Sequence, residues 1–554
     1  MPKEISARPN LEQYKRQAKE LLRAVKAGDS SALKRLTPLA QSHSKFAGKL
    51  PADFRLNDAQ WVLAREHGFP SWSAMKAQIA ALNAIASAGD VDAFVRAAVW
   101  EGAGGNFEKA RDLLALRPAL AGANFYCACV TGEAETVRHL LAGEPELARR
   151  KGGPLDWEPI LYVCFSAFLA RQSRRGEGER FVAIAKQLLE AGADANSAFI
   201  GSPQFGSPRE TALYGASGIA NHAGLTETLL KAGADPQDGN PDDGGAETIY
   251  HTAEFSDLAC MKLLFQYGVS QKAKDYCLRR QLDFENVGGT RLFLDSGANP
   301  NAGADKGHGT ALHHAILRGR GLEVIRLLVE RGGDLMARDK DGKTPFAFAT
   351  RLGRVETASF LAEQGADPAL SPEDRFVGAC ARADATGIAA AVDRDPDLVS
   401  RLSESDQKVL SLAARENRLD AARAMLNAGL NITILDSGQT PLHWAAWFGH
   451  PAMVELLLEY GAPLEIANNY GGTPLGTAVY ASRHCHEATR PEEGRRSPVD
   501  DGNNTEHENR YLQVVHRLIA AGAVVHPWML GLGTAAVEKV VARHLPRQPE
   551  QVSE

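Results

Sequence analysis

The residues best suited to metal chemistry lie near the carboxyl end, in His484-Cys485-His486-Glu487 and, further along, His507-Glu508. Imidazole and thiolate groups are good zinc ligands. Adjacent positions are geometrically awkward for one tetrahedral ion, however, and the surrounding segment is strongly polar. The sequence therefore predicts no specific metal site and no cofactor. A metal-binding or enzymatic protein that uses the insert 481–510 is the alternative.

Three histidines, His251, His313 and His443, are candidate general bases. Each is assigned to the same place in a phrase that recurs along the chain. Recurrence with a fixed period favours a structural role, such as a hydrogen bond between neighbouring turns. The sequence also lacks a Gly-rich phosphate loop, a Gly-x-Ser-x-Gly elbow and a His-Glu-x-x-His pair. We therefore predict no catalytic residues and no enzymatic activity.

Composition excludes several further classes of protein. The chain has 554 residues, a hydrophobic fraction of 44% and a formal net charge of -6. That charge argues against a protein that coats nucleic acid or binds membranes through a basic patch. The seven cysteines have no paired spacing and suit reduced, buried thiols. We find no secretory signal and no apolar run near 20 residues, so we expect a soluble cytoplasmic protein.

The elements that position these residues are set by a repeat. A short apolar run followed by Gly recurs with a base period of 33 residues, as in the segment that ends at Gly461. Two longer intervals of 64 and 61 residues contain a degenerate unit (Phe376–Val399) and an insert of about 28 residues. The glycines in this position are Gly192, Gly233, Gly268, Gly297, Gly332, Gly365, Gly429, Gly461 and Gly522.

The best copy of the unit, residues 436–466, predicts two antiparallel helices. Thr440 can cap the first helix and Pro441 suits its first position. The residues Leu442, Ala445, Ala446 and Gly449 fall on one helical face, and their small size lets a neighbouring helix pack closely. A second helix would end at Gly461 with a positive φ. Since one unit cannot bury both of its faces, the units must stack.

This pattern resembles the ankyrin repeat, whose hallmarks are Thr-Pro-Leu-His, Ala-Ala, Gly-His, Leu-Leu and Gly-Ala-Asp. The copy over residues 436–466 matches nearly every position, and the resemblance extends from about Asp92 to Val525. It implies an all-α solenoid of helix-turn-helix units with short β-hairpin fingers. We expect about twelve units, including degenerate ones.

The chain is predicted to fall into three parts. Residues 1–85 form an N-terminal helical cap with Trp61, Phe69 and Trp72 as a small core, residues 86–525 form the solenoid, and residues 526–554 carry a closing helix and a frayed tail. A separate docking module is the alternative interpretation of the first part. The solenoid contains degenerate repeats over 86–156 and inserts at 171–180, 197–209 and 481–510, the last expected to be a loop too polar to pack.

Aromatic residues give the strongest functional signal. On a helical wheel, Trp444, Trp447 and Phe448 lie opposite the buried face. The resemblance implies that the two positions after Ala-Ala are exposed on the concave binding face. Exposed aromatics and arginines are typical of interaction hot spots. Cover by the insert 481–510 is the alternative. The predicted partner-binding residues are Trp444, Trp447, Phe448, Phe348, Arg351, Leu352, Leu317, Arg318, Arg415, Glu416, Tyr480 and Phe255.

We therefore predict a non-catalytic scaffold that binds an unknown protein partner on the concave face of an ankyrin-type solenoid. It is expected to be monomeric, to bind neither nucleic acid nor membranes, and to work in a bacterial-type cytoplasm. Besides the metal or enzymatic alternative, an exported effector that binds a target in another cell is possible, because specialised secretion needs no signal peptide.

Overall fold

The computed structural model describes residues 11–42, 51–76 except 68 and 70, 88–201 except 101, 103 and 104, 209–237, 246–303, 309–485 and 505–545. The chain forms two compact units, Met1–Asp235 and Pro236–Glu554. Within the described residues the secondary structure is almost wholly helical, so the predicted all-α fold is confirmed. None of these helices combines the length and the apolar content that crossing a bilayer requires.

The first unit begins with a small helical segment, continues with four helix pairs in its described part, and contains one β-hairpin. A π-helical turn, Gly215–Ile219, extends the first helix of the fourth pair. The α-helices are Leu11–Lys26, Ser30–Ser42, Leu56–Glu66, Ala88–Ala98, Phe107–Leu116, Phe125–Thr131, Ala134–Gly143, Pro159–Cys164, Ala167–Ser173, Glu179–Glu190, Ala212–Tyr214 and Ala223–Lys231.

The second unit holds eight helix pairs among its described residues, which brings the total to the twelve units expected. The first helices of consecutive pairs pack side by side. A short helix, Glu404–Gln407, precedes the sixth pair, and Ala535–His544 follows the last. The pairs are Glu247–Thr252 and Ala259–Tyr267, Gln271–Gln281 and Val287–Asp295, Ala311–Leu317 and Leu322–Glu330, Pro345–Arg351 and Val355–Glu363, Pro372–Ala381 and Ala385–Arg394, Val409–Arg415 and Leu419–Asn427, Pro441–Trp447 and Pro451–Glu459, and Pro474–His484 and Thr505–Ala520.

Local chemistry sets both ends of each pair. The Thr440 hydroxyl accepts a hydrogen bond from the His443 backbone N–H, and Pro441 occupies the first helical position. At the other end Gly461 has a φ of 78°, so its N–H and that of Ala462 reach back to the Leu458 and Leu457 carbonyls. A residue with a Cβ is strained in that conformation, which explains the recurring glycine. All nine repeat glycines have positive φ, which the sequence predicted for Gly461.

The core of the N-terminal segment differs from the prediction. Its buried cluster consists mainly of aliphatic residues, such as Leu21 and Val62, together with Tyr14 and Phe54. Trp61, Phe69 and Trp72 pack only partly buried against this cluster, so they are its margin and not its core. The reason is that the apolar faces of Leu11–Lys26 and Leu56–Glu66 already meet. The division of the chain at residues 85 and 525 stays a prediction.

Two inserts are built as expected and the third is not. Residues 171–180 link Ala167–Ser173 to Glu179–Glu190, and Ala198–Ile200 pairs antiparallel with Arg209–Thr211 to lengthen one finger. The expectation that residues 481–510 are too polar to pack is wrong at both ends. Residues 481–484 complete one helix and residues 505–510 begin another, and Cys485 and His507 are buried. Residues 486–504, including His486, lie outside the described part of the chain.

Candidate partner-binding surface

The exposure predicted for the site residues is wrong at three positions. Phe448 is 6% exposed, Arg351 is 4% exposed and Leu352 is 5% exposed. Phe448 and Leu352 are the residues at which the first helices of their pairs end, so the backbone leaves the helical path there and a wheel no longer predicts the side-chain direction. Arg351 is long enough to turn back into the protein. These three residues stabilise the fold and are unavailable to a partner.

Phe448 is covered by its own neighbours. Its ring stacks on Trp444 with centroids 6.1 Å apart and on the imidazole of His450 at the same distance. The guanidinium of Arg415, from the preceding pair, lies 5.3 Å from the Phe448 ring and 5.5 Å from the Trp444 ring. His450 Nε2 also hydrogen-bonds the Arg415 carbonyl oxygen at 3.0 Å. Trp444 is therefore half-buried, in a cation–π layer between two pairs.

Arg351 belongs to a buried ion network. Its guanidinium donates to Asp374 at 2.8 Å and to Asp406 at 2.5 Å, and Lys343 Nζ lies 2.7 Å from Asp374. Both carboxylates also accept the backbone N–H of the serine that caps their own helix. Burial by itself raises the pKa of each carboxyl group, but the hydrogen bonds and the nearby cations outweigh it, so both pKa values are lowered. The network joins the amino ends of two helices to Arg351.

An exposed aromatic row lies beside this layer. Trp447 stacks on Tyr480 of the next pair at 6.1 Å, and Tyr480 stacks on His484 at 4.2 Å. Tyr480 is 42% exposed, Trp447 is half-buried and His484 is exposed. We call these three side chains the aromatic row. Because the rings support one another, they are ordered before any partner arrives.

Helix Thr505–Ala520 supports the aromatic row from behind. Tyr511 is fully buried, donates its hydroxyl hydrogen bond to the Trp447 carbonyl oxygen at 2.5 Å, and has a ring that leaves little space at Gly449. Burial raises the pKa of Tyr511, so the phenol remains neutral. The sequence could not indicate that Tyr511 supports this surface, because Tyr511 lies 64 residues from Trp447. It could have indicated His484, since His484 lies one helical turn after Tyr480.

The remaining predicted residues lie further along the same series of first helices. Leu317 is 39% exposed, whereas Phe255 and Phe348 are half-buried. Arg318 pairs with Asp283 at 2.7 Å. Glu416 is bound by Arg354 and, at 3.7 Å, by Arg418. Charges here are largely matched. Of the predicted residues within the described ranges, those near Trp447 and Tyr480 form one exposed aromatic surface.

Two of the repeated histidines have the structural role predicted. His443 Nδ1 interacts with the Thr440 hydroxyl at 2.7 Å, and His443 Nε2 lies 3.0 Å from the Gly472 carbonyl oxygen of the next unit. His313 makes the same pair of contacts, to Thr310 and to the Lys343 carbonyl oxygen. Each ring therefore joins its own helix cap to the next finger.

The assignment of His251 to that position is wrong. Its ring nitrogens lie 3.1 Å from Glu247 and 2.9 Å from Glu254, both in its own unit. The two Ala positions align instead with Thr252 and Ala253, which puts Tyr250 at the place of His443. Burial lowers the pKa of His251, but the hydrogen bonds that its ring donates to Glu247 and Glu254 and the negative charges of these two side chains outweigh it, so the pKa is raised.

The candidate metal ligands do not converge where the chain is described. His484 stacks on Tyr480, Cys485 is buried, and His507 Nε2 lies 3.0 Å from the Ser482 carbonyl oxygen. Within the described ranges no group of three or more His, Cys, Asp or Glu side chains is arranged to hold a metal ion. The absence of a metal site and of enzymatic activity stays a prediction.

Comparison with known proteins gives one consistent family. A family model described as ankyrin repeats matches three times, at residues 284–371, 387–468 and 410–488. The human ankyrin repeat and SOCS box protein 16 is 30% identical over 183 residues, and human palmitoyltransferase ZDHHC13 is 29% identical over 182 residues. These alignments cover 31% and 32% of this chain but only 40% and 29% of the relatives.

A solved structure of the ankyrin repeat domain of Bcl-3 is 21% identical, with a TM-score of 0.21, and the match covers 48% of this chain and 97% of that one. The relatives described above are human, so the expected bacterial setting stays a prediction, as does the cytoplasmic location.

Proposed function

We propose that this chain, which is an ankyrin repeat protein, is a non-catalytic scaffold that captures a protein partner on the aromatic row and the adjoining layer of Trp444 and Arg415. Ankyrin repeats are in general modules for protein–protein interaction. The observation that carries the proposal is the stacked, partly exposed set of Trp447, Tyr480 and His484.

Burial of the aromatic row would provide most of the binding energy. Trp, Tyr and Arg dominate interaction hot spots, where one anchor contributes about 2 kcal/mol or more once water is excluded. Trp447 and Tyr480 come from consecutive units and face one surface, so a single partner segment can cover both. Arg415 lies in the helix pair that precedes the pair of Trp447, and it adds a planar cation to the same area.

The rigidity of the first helices also favours the capture of a protein partner. Phe448, Tyr511 and Arg351 hold the first helices from inside, through stacking, a hydrogen bond and paired charges. A surface that is ordered before binding loses little conformational entropy when the partner docks. The activity of the palmitoyltransferase relative is not proposed for this chain, since that alignment covers 29% of the relative's length.

The test is quantitative affinity capture with the full chain, followed by mass spectrometry. The double variant Trp447→Ala/Tyr480→Ala should capture at least tenfold less of its specific partner, because both anchors are removed. Its circular-dichroism melting temperature should fall by only a few degrees, since both side chains are partly exposed.

The matched control is Tyr267→Ala, which removes a tyrosine that is also 42% exposed but ends the second helix Ala259–Tyr267. Capture should be unchanged in this variant. Equal losses in the control and the double variant, or full capture by both, would contradict the proposed surface.

A further inference from the structure

The helix Ala385–Arg394, the second helix of the degenerate unit, is packed less tightly than its counterparts. It has no buried residue, and its apolar side chains Ile388, Ala391 and Val392 are only half-buried. Apolar burial is what normally holds a second helix against the repeats. Four other second helices of the same unit each bury four side chains, namely Leu322–Glu330, Val355–Glu363, Leu419–Asn427 and Pro451–Glu459.

The stack of repeats does not depend on this helix. Its main contact among the described elements is with Pro372–Ala381, the first helix of its own pair. Pro372–Ala381 also packs against Pro345–Arg351 of the preceding pair and directly against Leu419–Asn427 of the next pair. Since both neighbouring pairs reach Pro372–Ala381 itself, Ala385–Arg394 can move away while the row of repeats stays continuous.

The turn that leads into this helix is strained. Ala383 has a φ of 54°, in the left-handed region that a Cβ disfavours. The equivalent turns of the two flanking pairs have Gly353 and Asn417 at this position, with φ of 69° and 55°. Glycine and asparagine adopt this conformation more readily than alanine does. A change of backbone conformation at Ala383 therefore releases strain, which favours movement of the helix.

An exposed ion bridge holds the opposite end of the helix. Arg401 pairs with Asp395, the residue that caps the end of the helix, and lies 3.6 Å from Glu373 in the first turn of Pro372–Ala381. These three side chains are between 28% and 48% exposed. Exposed ion pairs contribute little stability and are screened by salt. The bridge is therefore a weak latch.

We propose that Ala385–Arg394 is a flap that opens by itself, with Ala383 as its hinge and the Arg401 bridge as its latch, and uncovers part of Pro372–Ala381 while the repeats stay folded. Ala379 is one residue that the flap covers. It is 3% exposed, and a Cβ placed on Gly387 would lie 3.3 Å from the Ala379 side chain. The flap is a conformational device that is separate from the proposed capture of a partner.

Native-state hydrogen exchange of the full chain, followed by mass spectrometry, tests the flap. Amides of the flap should exchange at least tenfold faster than those of Leu419–Asn427. Low concentrations of urea should leave the rate in the flap unchanged, because local opening exposes little surface. An increase in salt from 50 to 500 mM should at least double that rate, because salt screens the latch.

Two variants test the hinge and the latch separately. Ala383→Gly should slow exchange in the flap at least threefold, because glycine removes the strain of the closed form. Arg401→Gln should speed it at least twofold. The matched controls are Asn417→Gly, at the equivalent turn of the next pair, and Arg423→Gln, which removes an exposed pair with Glu459. Both controls should leave exchange in the flap unchanged.

Exchange in the flap as slow as in Leu419–Asn427, or rates that rise together in both helices as urea is added, would overturn the flap. Unchanged exchange in both Ala383→Gly and Arg401→Gln would overturn it as well. Capture by the Trp447→Ala/Tyr480→Ala variant tests the scaffold proposal independently, so failure of one proposal is distinguishable from failure of the other.

Discussion

Trp447 and Phe448 are neighbours in sequence with opposite roles. Phe448 ends the helix Pro441–Trp447 and fills the space between Trp444, His450 and Arg415, whereas Trp447 faces Tyr480 at the surface. The direction in which the backbone leaves the last helical turn decides whether each of these two side chains is buried or exposed. One residue supports the fold and the other is available for binding.

Phe448→Ala should lower the free energy of unfolding by about 3 kcal/mol, because it removes a buried ring and leaves a cavity under Arg415. Trp447→Ala should cost about 1 kcal/mol, since its ring is half-buried and loses mainly one stacking partner. Urea unfolding followed by circular dichroism measures both values. Equal losses for the two variants would show that the two rings are buried alike.

In two of the units, one neutral imidazole, that of His313 or His443, joins a helix cap to the next finger. His443 Nδ1 accepts from the Thr440 backbone N–H at 3.3 Å, and its Nε2 donates to the Gly472 carbonyl oxygen. Burial lowers the pKa of His443, against weaker opposing effects of the backbone hydrogen bonds. The connection that His443 makes between the cap and the finger is therefore stable only while its ring carries a single proton.

Acid should reduce the contribution of His443 to the stability of the fold. Because the folded pKa of His443 is below the unfolded value of about 6.5, its contribution to stability is full above that pH and is lost as pH falls towards the folded pKa. His443→Gln keeps one acceptor and one donor without titrating, so the free energy of unfolding should depend less on pH between 7.5 and 5. Urea unfolding at each pH measures it.

His251→Gln is the matched control, because the folded pKa of His251 is raised and its contribution has the opposite sign. That contribution is full below about pH 6.5 and is lost as pH rises through the folded pKa. Its removal should therefore make stability fall more steeply on acidification. If both variants changed the pH profile in the same direction, the assigned roles of the two rings would be wrong.

Across the molecule, the stacked pairs are tied beyond their nearest neighbours. Arg351, in the pair that ends at Glu363, reaches past the next pair to Asp406, in the short helix Glu404–Gln407. Arg418 donates to the Leu352 carbonyl oxygen at 2.9 Å and also to the Ala381 carbonyl oxygen, so it joins three pairs. Repeat proteins are usually stabilised by contacts between adjacent repeats. We therefore expect these arginines to extend the cooperativity of unfolding over residues 345–427.

Arg418→Ala should reduce amide protection across all three pairs within 345–427, because the two carbonyl groups lose their donor and local opening becomes easier. Protection of the N-terminal helices Leu11–Lys26 and Leu56–Glu66, which have their own buried cluster, should not change. Native-state hydrogen exchange with mass spectrometry measures this. Arg423→Ala is the control, and a loss confined to residues 409–427 would refute the coupling.

The sequence by itself determined the fold to a large extent. The recurring glycines, the Thr-Pro starts and the apolar runs specify helix ends and buried faces through local backbone chemistry, and the helix pairs follow from them. The sequence also predicted the structural role of His313 and His443, because a residue that recurs with the repeat period is expected to stabilise the repeat.

Only the tertiary structure decided which side chains are available to a partner. Arg415 of the preceding pair helps to bury Phe448, Asp374 and Asp406 from other helices enclose Arg351, and Tyr511 supports Trp447 from 64 residues away. A helical wheel describes one helix alone, whereas exposure depends on the neighbouring helices and on the path of the chain after the last turn. Periodicity therefore predicts which faces must be buried, and the packed neighbours determine which of the remaining residues stay exposed.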